Sequence, residues 1–108
     1  LVNVVSELRS SGLGNPSFYT DKLFGGYSLT VQPPDVSKWS GIQQWCATEH
    51  IKPTKIVVVG DAGNDLEMLA NADTAIVVKG AEKNLLDLAD HIIEGPDIGG
   101  WAEVLELI

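Results

Sequence analysis

Two aspartates and an asparagine stand close together in the stretch 57–69, VVVGDAGNDLEML. Asp61 follows an all-apolar run closed by Gly60, and Asn64 and Asp65 come about one helical turn later. In open α/β sheets ligands bind beyond the carboxyl ends of the strands, and Asp61 holds that position if the apolar run is a strand. Asp65 then opens the helix that follows, so both carboxylates can face one point. Two carboxylates and an amide oxygen are hard oxygen donors of the kind that suit Mg²⁺. Gly60 and Gly63 let the backbone approach closely without a Cβ clash. Asp and Asn also cap helices, and a G-D-x-G-N-D loop can be a capping turn with no ligand. Its place directly after an all-apolar strand favours the ligand reading.

These residues need a strand before them and a helix after them. The run 55–59 (KIVVV) is short, β-branched and without alternation, which is the pattern of a parallel strand buried on both faces. A helix is predicted from about Asp65 to Asn71, a second buried strand over 75–78 and a helix over 82–89. A short strand over 91–93, a loop over 95–100 and a closing helix over 101–108 follow. Upstream, Asp35 or Ser37 can cap a helix running to about His50, with Ile42, Trp45 and Cys46 as its apolar stripe. From Lys38 onward helices and short buried strands alternate, the signature of an α/β fold with a parallel sheet. The first third reads differently. Leu1, Val4, Val5 and Leu8 have helical spacing. Residues 11–16 (SGLGNP) are turn chemistry. Two strand-like runs, 18–24 and 27–32, flank Gly25-Gly26, a hairpin turn. Pro33-Pro34 ends the pairing, because proline has no N–H for the ladder. The boundary between the two parts, 1–33 and 34–108, is placed there.

A length of 108 residues is room for one small domain or a piece of a larger one. With 44% hydrophobic and 20% charged residues, a disordered or collagen-like chain is excluded. The longest apolar runs, such as 56–59 and 75–78, fall far short of the roughly 20 residues a membrane helix needs. Lys+Arg number 7 against 15 Asp+Glu, a net charge of −8, which argues against nucleic-acid binding through phosphates. The lone cysteine, Cys46, excludes an intramolecular disulfide and fits a reduced cytoplasmic setting. Cys46 has no basic neighbour in the sequence and reads as inert core. His50 and His91 each lack a second ligand at metal-site spacing, and Trp39 reads as a packing residue.

GDAGNDLEML resembles the fourth motif of the haloacid-dehalogenase superfamily, in the G-D-x-x-N-D form of its sugar-phosphate phosphatases. The resemblance implies a partial Rossmann-like (HAD-like) core, a parallel sheet flanked by helices. It implies Mg²⁺-dependent phosphomonoester hydrolysis, in which an aspartate on another strand takes the phosphoryl group and water releases it. Asp61 and Asn64 would be Mg²⁺ ligands, Asp65 would bind the ion directly or through water, and Asn64 could also touch the substrate. Lys38, in V-S-K-W ahead of the strand, resembles the third motif, which supplies a lysine to the phosphoryl site. A fixed ammonium there offsets the charge gathered in phosphoryl transfer. Alone, Lys38 would read as a solvated lysine, and Ser37 and Ser40 as caps. The segments 73–80 (DTAIVVKG) and 94–101 (EGPDIGGW) resemble mannosyl-3-phosphoglycerate phosphatases and their Cof-type relatives, with Ile98 and Gly99 as two extra residues. This implies a phosphorylated sugar or sugar-glycerate substrate, with Lys79 as a contact, although Lys79 alone reads equally well as a solvated strand-end lysine. Trp101 reads as an aromatic anchor for the last helix. The helix and hairpin of 1–33 would then be a cap-domain remnant, and 34–108 the C-terminal part of the core.

The family's first motif, D-x-D-x-T, which carries the nucleophile, is absent from the sequence: Asp21 is followed by Lys22 and Leu23, and Asp35 by Val36 and Ser37. The second motif cannot be placed either. The sequence begins at Leu1, without a basic segment followed by an apolar one, so a truncated chain is one expectation. In the family fold the nucleophile strand lies beside the strand that ends at Asp61. Without it that strand has an open apolar edge, so a homodimer or a missing N-terminal segment is expected to cover it. The alternative is a stand-alone, non-catalytic interaction or regulatory module derived from the same fold.

Overall fold

The computed structural model describes residues 2–108, so the predicted place of Leu1 on the first helix lies outside the described residues. The chain divides into two compact units, Leu1–Ile51 and Lys52–Ile108. In the first, α1 (Val2–Ser11) packs against β1 (Asn15–Thr20), which pairs antiparallel with β2 (Tyr27–Gln32). The register runs from Asn15↔Gln32 to Thr20↔Tyr27. Gly14 and Pro16 are buried, and a Cβ on Gly14 would press on Val31. Phe18 stacks on Tyr27, ring centroids 5.3 Å apart, a diagonal cross-strand pair.

The hairpin's first strand ends at Thr20 and not at Phe24 as the sequence suggested. Asp21 is the reason. Its Oδ1 accepts from the N–H groups of Leu23 (2.9 Å) and Phe24 (3.1 Å), and its Oδ2 from the Ser28 hydroxyl (2.7 Å). Those amides are thereby withdrawn from the ladder, and the chain turns through 21–26.

α2 (Lys38–Thr48) starts where Ser37, not Asp35, caps it. Ser40 N–H donates to Ser37 Oγ (3.0 Å) and Ser37 N–H donates to Ser40 Oγ (2.8 Å), a reciprocal capping box. No residue of α2 is buried: Trp45 is 58% exposed and Cys46 half-buried, so the expected core stripe is not formed.

The second unit holds a parallel sheet in the order β3-β4-β5, formed by Val57–Gly60, Thr74–Val78 and His91–Ile93 and flanked by helices. Pairing runs Val57↔Thr74 to Gly60↔Val77 and Ile76↔His91 to Val78↔Ile93. The core gathers on the central strand: Ala75, Ile76 and Val77 are buried with Val58, Leu69, Leu85 and Ile93. The all-apolar run of β3 was expected to be covered on both faces. Instead Val58 is buried while Val59 is 42% exposed, because β3 lies at the sheet's edge.

Two aspartates set the register from the strands' amino ends. Asp73 accepts the Ile56 N–H (2.7 Å), and Asp90 accepts the Ala75 N–H (2.8 Å). α3 (Leu66–Asn71) lies where the sequence places it, and α4 (Lys83–Leu86) is shorter than the expected 82–89. The expected loop over 95–100 holds a 3₁₀ turn, Pro96–Ile98, and the closing helix opens with a second, Gly100–Glu103, before α5 (Val104–Leu107). Trp101 is 69% exposed within these turns, so it does not anchor the last helix.

Candidate functional site

All three strands of the second unit run the same way, so their carboxyl ends lie along one edge. Asp61 follows β3, Lys79 follows β4 and Glu94 follows β5. Since Gly60 pairs with Val77, Asp61 comes level with the end of β4 and Lys79 one residue beyond. The structure therefore gathers Asp61, Asn64, Asp65 and Lys79 on one edge of one unit. Lys38 stands in the other unit, exposed, as the first residue of α2.

The loop after β3 is held by its own side chains. Asp65 N–H donates to the Ala62 carbonyl (2.9 Å), closing a 3₁₀ turn over Gly63–Asp65. Asp65 Oδ2 accepts in return from the N–H groups of Asp61 (2.9 Å) and Ala62 (3.2 Å). Asp65 is only 3% exposed. A Cβ on Gly60 would lie 2.8 Å from Asp65 Cβ and 3.1 Å from its Oδ2, so only glycine leaves room for this carboxylate beneath the strand end. Asp61, by contrast, is exposed, and Asn64 is half-buried in the turn.

At the neighbouring strand ends Lys79 Nζ pairs with Glu94 Oε1 at 3.1 Å, both side chains partly in solvent. Lys79 N–H donates to the Ile93 carbonyl (2.8 Å), and Glu94 N–H to Glu103 Oε2 (2.8 Å). Sequence reading missed Glu94 and Glu103. The signal was present for Glu94, because it follows its strand as Lys79 follows its own, but only the register shows that the two strands are neighbours.

The donor chemistry suits a hard cation: an outward carboxylate on Asp61 and an amide on Asn64. Mg²⁺ commonly takes one or two carboxylates and completes its octahedron with water and substrate phosphate. Among the described residues no group of three or more His, Cys, Asp or Glu could hold a metal ion, so these residues fit as part of a ligand set. What the edge presents is the Asp61 carboxylate, the Asn64 amide and the Lys79 ammonium, the last paired with the Glu94 carboxylate.

Residues 17–105 match the family of haloacid dehalogenase-like hydrolases. A phosphoglycolate phosphatase of Methanoculleus marisnigri is 30% identical over 81 residues, 75% of this chain and 35% of that protein. One of Haloarcula marismortui is 29% identical over 80 residues, 74% of this chain and again 35% of the relative. The chain thus spans about a third of the length of the curated relatives it matches. In fold it is similar to a haloacid dehalogenase-like hydrolase from B. subtilis, with a TM-score of 0.78 at 17% identity, over 98% of this chain and 35% of that one.

Proposed function

The chain belongs to the haloacid dehalogenase-like hydrolases, and from that premise we propose that it supplies the metal loop of a Mg²⁺-dependent phosphomonoester hydrolase. The observation that carries this reading is Asp61, an outward carboxylate directly beyond a parallel strand, on a loop held by its own backbone and side-chain bonds. Asp61, with Asn64 beside it, would hold the ion. When bound, Mg²⁺ supplies positive charge to the phosphoryl oxygens. By its resemblance to the third motif, Lys38 would supply an ammonium to a phosphoryl group. The aspartate nucleophile is not among these 108 residues and would come from outside them, from further chain or from a partner.

The tail's resemblance to mannosyl-3-phosphoglycerate phosphatases suggests a phosphorylated sugar or sugar-glycerate, and the relatives named above act by name on phosphoglycolate. Glycerate and glycolate are both hydroxy acids, so the substrate class is a phosphate monoester that carries a carboxylate, for which Lys79 is the ammonium at hand. The setting is cytoplasmic, consistent with the lone Cys46. No helix among the described residues is long and apolar enough to cross a membrane.

Two copies would meet along β3, whose only strand partner among the described residues is β4. The second reading, a non-catalytic interaction module, draws on the missing D-x-D-x-T and on the same open edge. The deciding assay is Mg²⁺-dependent hydrolysis of p-nitrophenyl phosphate, phosphoglycolate and mannosyl-3-phosphoglycerate, with Asp61→Ala beside it. Turnover that needs Mg²⁺ and disappears in Asp61→Ala supports the hydrolase. Turnover indifferent to Asp61→Ala removes the proposed role of the loop. Because the nucleophile lies outside these 108 residues, it is a folded chain that binds no Mg²⁺ at all that favours the module.

A further inference from the structure

We propose that Asp65 is not a metal ligand but the positioning residue that aims Asp61, an inference that rests on the metal-loop reading above. The argument begins from burial. A carboxylate that is 3% exposed must have its charge satisfied by donors. Two donors are the amides of Asp61 and Ala62, both on Oδ2. An oxygen that accepts two N–H groups has its lone-pair directions filled, and it is poorly placed to face a cation as well. The grip is reciprocal at residue 62, whose carbonyl accepts from Asp65 N–H while its own N–H donates to Asp65 Oδ2.

The consequence falls on Asp61. Its amide is drawn under the strand end toward Asp65, while its side chain is exposed on the outer side. Gly60 belongs to the same device, since any Cβ there would push against Asp65 Cβ. The four residues Gly60, Asp61, Ala62 and Asp65 thus divide the work: one carboxylate is used by the backbone so that the other is free to point out.

The test uses the 108-residue chain, ¹⁵N-labelled, with Mn²⁺ as the probe and two readouts: paramagnetic broadening around Asp61, and hydrogen exchange at the Asp61 and Ala62 amides. Asp65→Asn keeps an acceptor oxygen but loses the charge. It is expected to keep both amides protected and Mn²⁺ affinity within about tenfold, less than loss of an outer-sphere partner commonly costs. Asp65→Ala removes the acceptor and is expected to expose both amides and weaken Mn²⁺ binding roughly 10–100-fold. Gly60→Ala leaves Asp65 chemically intact but displaced, and is expected to follow Asp65→Ala in both readouts. Asp61→Ala should abolish broadening. The proposal is overturned if Asp65→Asn abolishes broadening as fully as Asp61→Ala while both amides stay protected, since the charge and not the brace would then matter. No broadening in the unsubstituted chain would sink the metal-loop reading instead. The amides then decide the brace: protection lost in Asp65→Ala and kept in Asp65→Asn supports it, and protection unchanged in Asp65→Ala overturns it.

Discussion

Asp21 and Asp65 are both aspartates that bind the amides of a turn, and their surroundings give them different consequences. Asp65 is buried and its bonds shape the loop that carries Asp61. Asp21 lies near solvent on the hairpin, where the Ser28 hydroxyl first, then the N–H groups of Phe24 and Leu23, hold its carboxyl below the ordinary value of 3.8. These donors favour the ionised form, so the folded pKa is depressed relative to the unfolded one. The stability this provides is fully present above the unfolded value of 3.8 and is lost as pH falls through the lower folded value. The stability difference between the chain and Asp21→Asn is therefore expected to shrink as pH drops below 3.8. Chemical denaturation from pH 7 to pH 2 would check this. A difference that stays constant, or a ¹³C titration placing Asp21 above the ordinary value, would refute it.

The elements of the second unit are short, and their ends are fixed by specific contacts more than by helix or strand length. Asp73 and Asp90 tie each strand's entry to the neighbouring strand. At the other end of β5, Glu94 N–H is held by Glu103 while Gly100 packs against the Glu94 backbone so closely that a Cβ would overlap its carbonyl. Gly100→Ala must therefore move backbone, and a cost of about 2–4 kcal/mol is expected, in the range of overpacked sites. Asp90→Ala removes one charge-assisted bond and should cost about 1.5–3 kcal/mol. Urea unfolding followed by tryptophan fluorescence measures both, and a Gly100→Ala variant as stable as the parent would show that the turn after β5 is slack. Pro96 and the left-handed Gly99 turn the chain ahead of the closing helical segment, whose first turn is 3₁₀.

For the molecule as a whole, the telling feature is apolar surface left without cover. Val59 is exposed at the sheet's edge, and Ile98, Trp101, Leu105 and Ile108 are exposed along the C-terminal turns. Exposed apolar surface that gathers into patches marks sites of association. Self-association through β3 is expected, and Val59→Lys should reduce it, because a lysine on an edge strand opposes pairing with another strand. Val59 is partly exposed and makes little of the core, so the substitution should change stability by less than about 1 kcal/mol. Light scattering across a concentration series distinguishes the outcomes. A parent chain that remains monomeric, or a Val59→Lys variant that associates equally, would move the contact away from β3.

What the sequence determined by itself was local. The chain near Asp61 was legible because a β-branched run, a glycine and the G-D-x-G-N-D loop each constrain their own neighbours. The capping serine at 37 and the existence of a hairpin before Pro33-Pro34 were legible for the same reason, though its turn runs through 21–26. The tertiary structure decided everything that depends on which strand lies beside which. It put β4 in the centre and β3 at the edge, which is why the same kind of apolar run is covered in one and open in the other. It brought Lys79 to Glu94 across two adjacent strand ends. It also turned the Asp65 carboxylate inward onto two amides, since hydrogen-bond direction is set by the fold of the loop and not by the residue type.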